Sequence, residues 1–295
     1  MKRLLMLAVC GPWLVAADLN IDHATVAVSD LKKMQAAMAA VGLQTVYGGA
    51  HTNHATEMAL ISFPDGSYLE FMGIVPNADP QAVKEHVWSK FLTGDAGPCA
   101  WAQRVDDMAA EVTRLKAAGV GVGTPERSGR QRPDGVKLQW QTANVGPEVR
   151  GAFFPFLIHD FTSRVARTFP RGEPSNKEFR GIGEVVLAVK DLKYAAQRYQ
   201  EAYGATMDKL DVDSAFGARL LRLKSVPVVL AQAISPDSWI AKRIETYGEG
   251  PCAILLSANA TQKARTTSSA KWFGAQVDWY DAAALGWHLG IERQP

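Results

Sequence analysis

The sequence predicts an α+β protein of four βαβββ modules arranged as two similar halves, and three observations predict it. A strand is written twice: IDHATVAVSDL, from Ile21 to Leu31, returns as IGEVVLAVKDL from Ile182 to Leu192. A tetrapeptide, GPCA, stands at Gly97 to Ala100 and again at Gly250 to Ala253, at nearly the same offset. Within the first half, a strand, an amphipathic helix ended by glycine and further strands occur twice in that order, each time with a Pro-Asp-Gly turn, at 64–66 and 133–135. Self-similarity at two scales is the mark of duplicated supersecondary units.

The elements follow in order. Residues 20–28 alternate like a strand and carry β-branched side chains. Ser29 and Asp30 can cap a helix from Leu31 to Val41, where Leu31, Met34, Met38 and Val41 recur at helical spacing and Gly42 ends the run. Strands at Leu43 to Tyr47, Met58 to Phe63 and Tyr68 to Ile74 complete the first module. The second has a strand from Cys99 to Val105 and a helix from Asp106 carrying Met108, Val112, Leu115 and Ala118. Gly119 closes that helix, and strands follow at Val120 to Val122, Val136 to Thr142 and Ala152 to His159. The third runs from Ile182 through a helix at Lys193 to Tyr203 to a strand at Val226 to Ile234. The fourth, from Pro251, loses most of its helix signal and ends in a strand at Trp287 to Glu292. The stretch Thr162 to Lys177, rich in Arg, Pro, Gly and Ser, reads as a linker. The expected domains are therefore 18–161 and 178–295, joined by 162–177.

The opening MKRLLMLAVCGPWLVAAD sets Lys2 and Arg3 before a short apolar run and then small residues, the anatomy of an export signal cut after Ala17. The run falls short of the roughly 20 residues of a membrane span. On this reading the mature chain is exported, periplasmic or secreted, with no membrane span; a buried N-terminal helix or strand is the competing reading. Net charge is +2 with both signs interspersed, and no basic cluster is interleaved with aromatics, so nucleic acid is not the partner. Export permits a disulfide between Cys99 and Cys252, but their matching GPCA contexts favour two small buried residues. There is no Gly-rich phosphate loop, G-x-S-x-G elbow, H-E-x-x-H helix or paired-cysteine zinc motif. The composition leaves a homo-oligomer open.

The four modules, with IDHATVAVSDL, GGAHTNHATEMALISFPDGSYLEF from Gly48 to Phe71 and RPDGVKLQWQ from Arg132 to Gln141, resemble the vicinal oxygen chelate superfamily and, within it, the bacterial glyoxalase-like domain proteins. The resemblance implies two bowls, each made of two paired modules whose sheets curl round a cleft. It also implies a divalent metal held by the first and last strands of each module. Carried over residue by residue, it points to His23, Glu70 and His159 as metal ligands, with Ala100 at a fourth position that cannot coordinate. Two imidazoles and a carboxylate suit Fe(II), Mn(II) or Zn(II) and leave positions open for substrate. Glu70 is also the candidate catalytic base, provided it is free of the metal. Each residue has a plainer reading: His23 as a structural histidine, Glu70 paired with an arginine such as Arg132, or both as polar anchors of a metal-free pocket.

His51 and His54 lie in a loop before a strand, where binding residues often sit. Arg130, Arg132 and Trp140 flank another turn, where a guanidinium can grip a carboxylate and an indole can form an apolar wall. Solvated loop residues are the alternative in both cases. In the second half Glu184 replaces His23, Gln232 or Leu230 falls near the Glu70 position, Ala253 repeats the vacancy at Ala100 and His288 ends the module, so this bowl reads as degenerate. Two functions follow from the resemblance. One is a metal-dependent enzyme of lyase, isomerase or dioxygenase type, acting on a small oxygen-rich molecule in the first cleft. The other is a non-catalytic protein that binds or sequesters a small molecule there.

Overall fold

The computed structural model describes residues 19–259 and 262–294. The expected export signal, residues 1–17, lies outside them. In the first half, β1 (Ile21–Ala27), α1 (Leu31–Ala40), β2 (Val46–Ala50), β3 (Thr56–Ser62) and β4 (Tyr68–Ile74) form one module. The short helices α2 (Pro80–Glu85) and α3 (Ser89–Thr93) lead to the next: β5 (Gly97–Arg104), α4 (Met108–Ala117), β6 (Glu126–Gln131), β7 (Lys137–Ala143) and β8 (Phe156–Asp160). A helix, α5 (Arg164–Thr168), interrupts the connecting segment. The second half comprises β9 (Gly181–Val189), α6 (Leu192–Tyr203), β10 (Thr206–Asp213), β11 (Ala218–Lys224), β12 (Val228–Ala233) and α7 (Trp239–Tyr247), then β13 (Gly250–Asn259), β14 (Ser268–Trp272), β15 (Ala275–Trp279), α8 (Ala282–Leu285) and β16 (His288–Gln294).

These strands build two eight-stranded sheets of identical topology, β2-β3-β4-β1-β5-β8-β7-β6 and β10-β11-β12-β9-β13-β16-β15-β14. In each, two modules join where their first strands run antiparallel, β1 against β5 and β9 against β13. The two GPCA segments open β5 and β13, equivalent strands, and both cysteines are buried and free. The architecture is the duplicated pair of bowls that the repeats predict. In three modules the helix after the first strand starts at an aspartate whose side chain accepts a backbone N–H: Asp30 from Lys33, Asp107 from Ala110 and Asp191 from Tyr194. Such a cap contributes about 1 kcal/mol. Among the described residues the fourth module has no helix between β13 and β14, matching its weak periodicity.

Alternation along the strands sorts side chains between two environments. Ala24, Val26, Leu69 and Phe71 pack with Leu31 and Met38 of α1, in a core continuous with Val185, Leu187, Tyr199 and Trp287 of the second half. The opposite faces of the same strands turn into the first bowl, and these carry His23, Thr25, Tyr68 and Glu70.

Three strands of the first half differ from the sequence reading. The one expected at Leu43 to Tyr47 lies three residues later, at β2. Val122 makes only an isolated bridge to Val145, and the strand lies later, at β6, whose ERSGRQ has no apolar alternation. As the edge of the sheet, β6 is mostly solvent-facing and has little to bury on either side. The strand expected from Ala152 begins only at Phe156, after Pro155.

The rim of the first bowl closes where β2 meets β6, with His51 bridged to Arg130. Gly49 makes that approach possible: its φ is +105°, and a Cβ there would lie 2.3 Å from the carbonyl oxygen of Gln131. Gly49→Ala is expected to destabilise the protein by about 1–3 kcal/mol through strain and clash. Thermal or denaturant unfolding measures this, and an unchanged midpoint would contradict the close approach.

Candidate functional site

The first bowl encloses a cavity of about 110 Å³ lined by His23, Tyr68 and Glu70 from β1 and β4, His51 from the β2–β3 turn, and Arg130 and Trp140 from β6 and β7. This is room for a small molecule and not only for a single water. Parallel pairing of β1 with β4 sets Thr25 opposite Glu70 and His23 opposite Tyr68, so the polar side chains of both strands converge.

Glu70 is 5% exposed and sits at the centre. Its Oε2 accepts a hydrogen bond of 2.9 Å from the Thr25 hydroxyl. Nε2 of His23 lies 3.6 Å from that oxygen, and Nε2 of His51 lies 3.7 Å from Oε1. His23 is stacked on Tyr68, with centroids 4.8 Å apart, and its Nδ1 is 2.7 Å from Oδ1 of Asp22. Asp22 is fully buried and faces two guanidinium groups, Arg164 and Arg167. Both Asp22 oxygens already accept from Arg167, so toward Oδ1 His23 donates from Nδ1 and its Nε2 carries the lone pair. Nδ1 of His51 is 3.0 Å from the Thr56 hydroxyl.

Burial pushes the His23 imidazole down to about 4, against the upward pull of Glu70. Burial likewise lowers His51, again opposed by Glu70. At neutral pH His23 is therefore an uncharged ring whose lone pair faces a carboxylate across a gap too wide for a hydrogen bond. Two electron-rich groups facing each other in a low-dielectric cleft are offset by a cation or a donated proton.

The remaining walls are aromatic and basic. Trp88, between α2 and α3, donates from Nε1 to the Arg150 carbonyl at 2.9 Å, and His86, Trp88, Arg150 and Phe156 also line the cavity. Arg130 is 3% exposed and donates to the Gly48 and Arg167 carbonyls. Burial lowers its pKa, with Tyr68 and Glu70 opposing.

Five of the residues singled out from the sequence, His23, Glu70, His51, Arg130 and Trp140, line this cavity, and three others lie outside it. On β8 it is Phe156 and Ile158 that face the cavity, so strand alternation turns His159 to the other face, where its Nδ1 is 3.1 Å from the Val105 carbonyl. The His23, Glu70 and His159 ligand set therefore does not converge. His54 occupies an exposed turn with φ +58°. Arg132 donates to the Ala166 and Pro170 carbonyls at 3.0 and 2.7 Å and pairs with Asp134, so it pins the connecting segment and does not reach the cleft. Tyr68 was recoverable from its i, i+2 relation to Glu70. His86, Trp88 and Arg150 come from connections with no periodic signal.

The fit of a metal to these donors is partial. Among the described residues no group of three or more His, Cys, Asp or Glu side chains is arranged as a metal centre. The His23–Glu70 and His51–Glu70 separations are a little wider than the roughly 3.0–3.4 Å between donors that bonds of about 2.1 Å imply. The donor chemistry would nonetheless suit a divalent ion: neutral imidazoles, one carboxylate, and in Asp22 an outer partner that would fix the nitrogen offered to it.

The second bowl differs. Glu184 stands where His23 stands, and Val186 pairs with Val229 as Thr25 pairs with Glu70, so the Glu70 position holds Val229 and neither Gln232 nor Leu230. Arg222 lies between two carboxylates, 2.8 Å from Glu184 and paired also with Glu292. Burial raises the Glu184 carboxyl to about 7, although Arg222 opposes the shift. Phe216, Trp272 and Trp279 fill the interior, and Trp239 stacks on His288 with centroids 4.2 Å apart. A guanidinium occupies the space between the acids, and aromatic rings occupy the cleft.

The buried imidazoles make stability acid-sensitive. His23, His86 and His288 are lowered to about 4 and His51 is also lowered, burial being the largest cause in each. Between pH 6.5 and about 4 the unfolded chain binds more protons at these sites, so their contribution is complete above 6.5 and is lost as pH falls. Glu184 acts in the opposite sense between about 4.5 and 7, one group against four. Denaturant midpoints are therefore expected to be lower at pH 5 than at pH 7; a higher midpoint at pH 5 would contradict the buried, neutral histidines.

Paired βαβββ modules curled round a cleft, with a histidine and a glutamate from the first and last strands of one module, define a protein of the vicinal oxygen chelate class. The chain belongs to the glyoxalase-like domain family, whose sequence profile matches residues 21–203, the whole first bowl and the start of the second. No curated protein matches the sequence. Among solved structures, a hypothetical protein from Staphylococcus aureus is similar over 93% of this chain and 99% of its own, with 15% identity and a TM-score of 0.64, which extends the shared fold to both bowls. Methylmalonyl-CoA epimerase from Mycobacterium tuberculosis aligns with 43% of this chain and 96% of its own, at 15% identity and a TM-score of 0.37.

Proposed function

We propose that the first bowl is the working site of a metal-dependent enzyme of lyase, isomerase or dioxygenase type that acts on a small oxygen-rich molecule. The observation that carries this reading is the convergence of His23 Nε2, His51 Nε2 and the Glu70 carboxylate inside a cavity of ligand size. His23 and Glu70 would hold the ion, with His51 as third donor in place of His159. When bound, Fe(II), Mn(II) or Zn(II) would act as a Lewis acid on adjacent substrate oxygens. The chain's own groups have separate tasks. Arg130 offers a buried positive charge to substrate oxygens, Trp88, Trp140 and Phe156 exclude water, and Glu70 takes a proton whenever it is free of the ion.

Equilibrium dialysis of purified protein against Mn(II) or Zn(II), followed by metal analysis, tests this reading. About one ion per chain is expected, and none in Glu70→Gln. Failure to retain any ion, together with tight binding of a small organic acid, would instead favour a sequestering protein; the aromatic lining favours this second reading. We also propose that the chain is exported. Described residues contain no helix long and apolar enough to cross a membrane. N-terminal sequencing of the protein from its native host is expected to begin at Asp18, and a start at Met1 would overturn export.

A further inference from the structure

We propose that the segment joining the two halves is part of the first-domain site, and that its Arg167 is a positioning residue that sets the His23 tautomer through Asp22. The stretch 162–177 reads in the sequence as a linker, yet it places on α5 one of the most deeply buried charged side chains of the molecule. Arg167 is 1% exposed and forks onto Asp22, with Nη1 and Nη2 each 2.9 Å from a carboxylate oxygen. On its other side it forks onto Asp160, at 2.5 and 2.8 Å, and Nη1 also donates to the Tyr68 hydroxyl at 2.7 Å. One guanidinium thereby ties β1, β4 and the end of β8 together beneath the cavity. Its own backbone is held in turn: Arg130 donates to the Arg167 carbonyl, and Arg132 to those of Ala166 and Pro170.

Both oxygens of Asp22 are committed by this clamp. Oδ2 accepts from Arg167 and Arg164, and Oδ1 accepts from Arg167 and from His23 Nδ1. The carboxylate cannot rotate without breaking these charge-assisted bonds. It can therefore only accept from His23, and the lone pair of His23 is delivered at Nε2, toward Glu70. Arg167 lines the cavity but makes no hydrogen bond to its central carboxylate or to the His23 ring; its hold on the His23 tautomer passes through Asp22.

The inference rests on the reading of His23 as a working group, and its test separates the two. In the full chain with ¹⁵N-labelled histidine, long-range ¹H–¹⁵N spectra report which ring nitrogen carries the proton. Wild-type His23 is expected to be protonated at Nδ1 and bare at Nε2. In Asp22→Asn the amide oxygen is best placed toward Arg164 and Arg167 and the NH₂ toward His23, so the proton is expected to move to Nε2. Arg167→Lys keeps the charge but loses the fork, and is expected to give a mixture of tautomers. Backbone amide spectra matching wild type away from α5 verify that both variants fold. An Nε2–H tautomer in the wild type, or an unchanged Nδ1–H tautomer in Asp22→Asn, would overturn the proposal; an unchanged tautomer in Arg167→Lys would overturn the role of Arg167. Mn(II) affinity falling about 10- to 100-fold in Asp22→Asn is the expected companion result. A tautomer that flips without any change in Mn(II) affinity would leave the positioning role standing and contradict the metal-dependent function instead.

Discussion

Asp22→Ala is expected to destabilise the protein by about 3–5 kcal/mol, the range for breaking a buried ion pair by removing one partner. Asp22 is fully buried and accepts from His23, Arg164 and Arg167, so its loss leaves Arg167 buried with Asp160 as its one carboxylate partner among the described residues. Urea unfolding followed by tryptophan fluorescence measures the change directly. A loss below about 1 kcal/mol would mean that Arg164 and Arg167 find water or other acceptors, and that the clamp beneath the cavity is not a rigid part of the fold.

His23→Ala is expected to cut affinity for Mn(II) or Zn(II) by more than the roughly 10- to 100-fold typical of losing an outer partner, with a smaller effect on folding. His23 is 3% exposed and packs on Tyr68 and Phe156, so its removal costs packing, but it leaves behind a carboxylate already satisfied by two arginines. Isothermal titration of the variant, after its circular dichroism has been matched to wild type, separates the two effects. Unaltered metal affinity in a folded variant would remove His23 from the donor set.

The repeats made the architecture legible. The doubled strand around His23 and Glu184 and the doubled GPCA mark equivalent strands of two sheets, and apolar periodicity located α1, α4 and α6 because each lays one face on a sheet. Elements without apolar periodicity were not legible: β6 is a polar edge strand, and α2 and α3 are short connections that flank the ring of Trp88, although α3 buries Phe91 and Leu92. At the site, His23 and Glu70 could be read because both lie on strands of plain alternation. His159 misled because one residue of parity decides which face a strand side chain takes, and the aromatic run before it, Phe153 to Phe156, carries no alternation to fix that parity. Arg167 could not be read at all. An arginine in a Pro- and Gly-rich stretch looks solvated until tertiary contacts bring Asp22 and Asp160 to it.

The same contrast explains why the two bowls diverge. Substituting Glu184 for His23 and Val229 for Glu70, and adding Arg222 and Glu292, replaces an open cavity by an internal ion-pair network with aromatic packing. Coulombic attraction between Arg222 and two acids fills the place that an outside cation would take. The two bowls share one continuous core.

Anomalous diffraction from a crystal soaked in Mn(II) tests the central claim most directly. A single strong peak per chain is expected, in the first bowl, about 2.0–2.2 Å from His23 Nε2 and a Glu70 oxygen, with no peak between Glu184 and Glu292. No peak in the first bowl, or a peak beside Arg222 in the second, would contradict it.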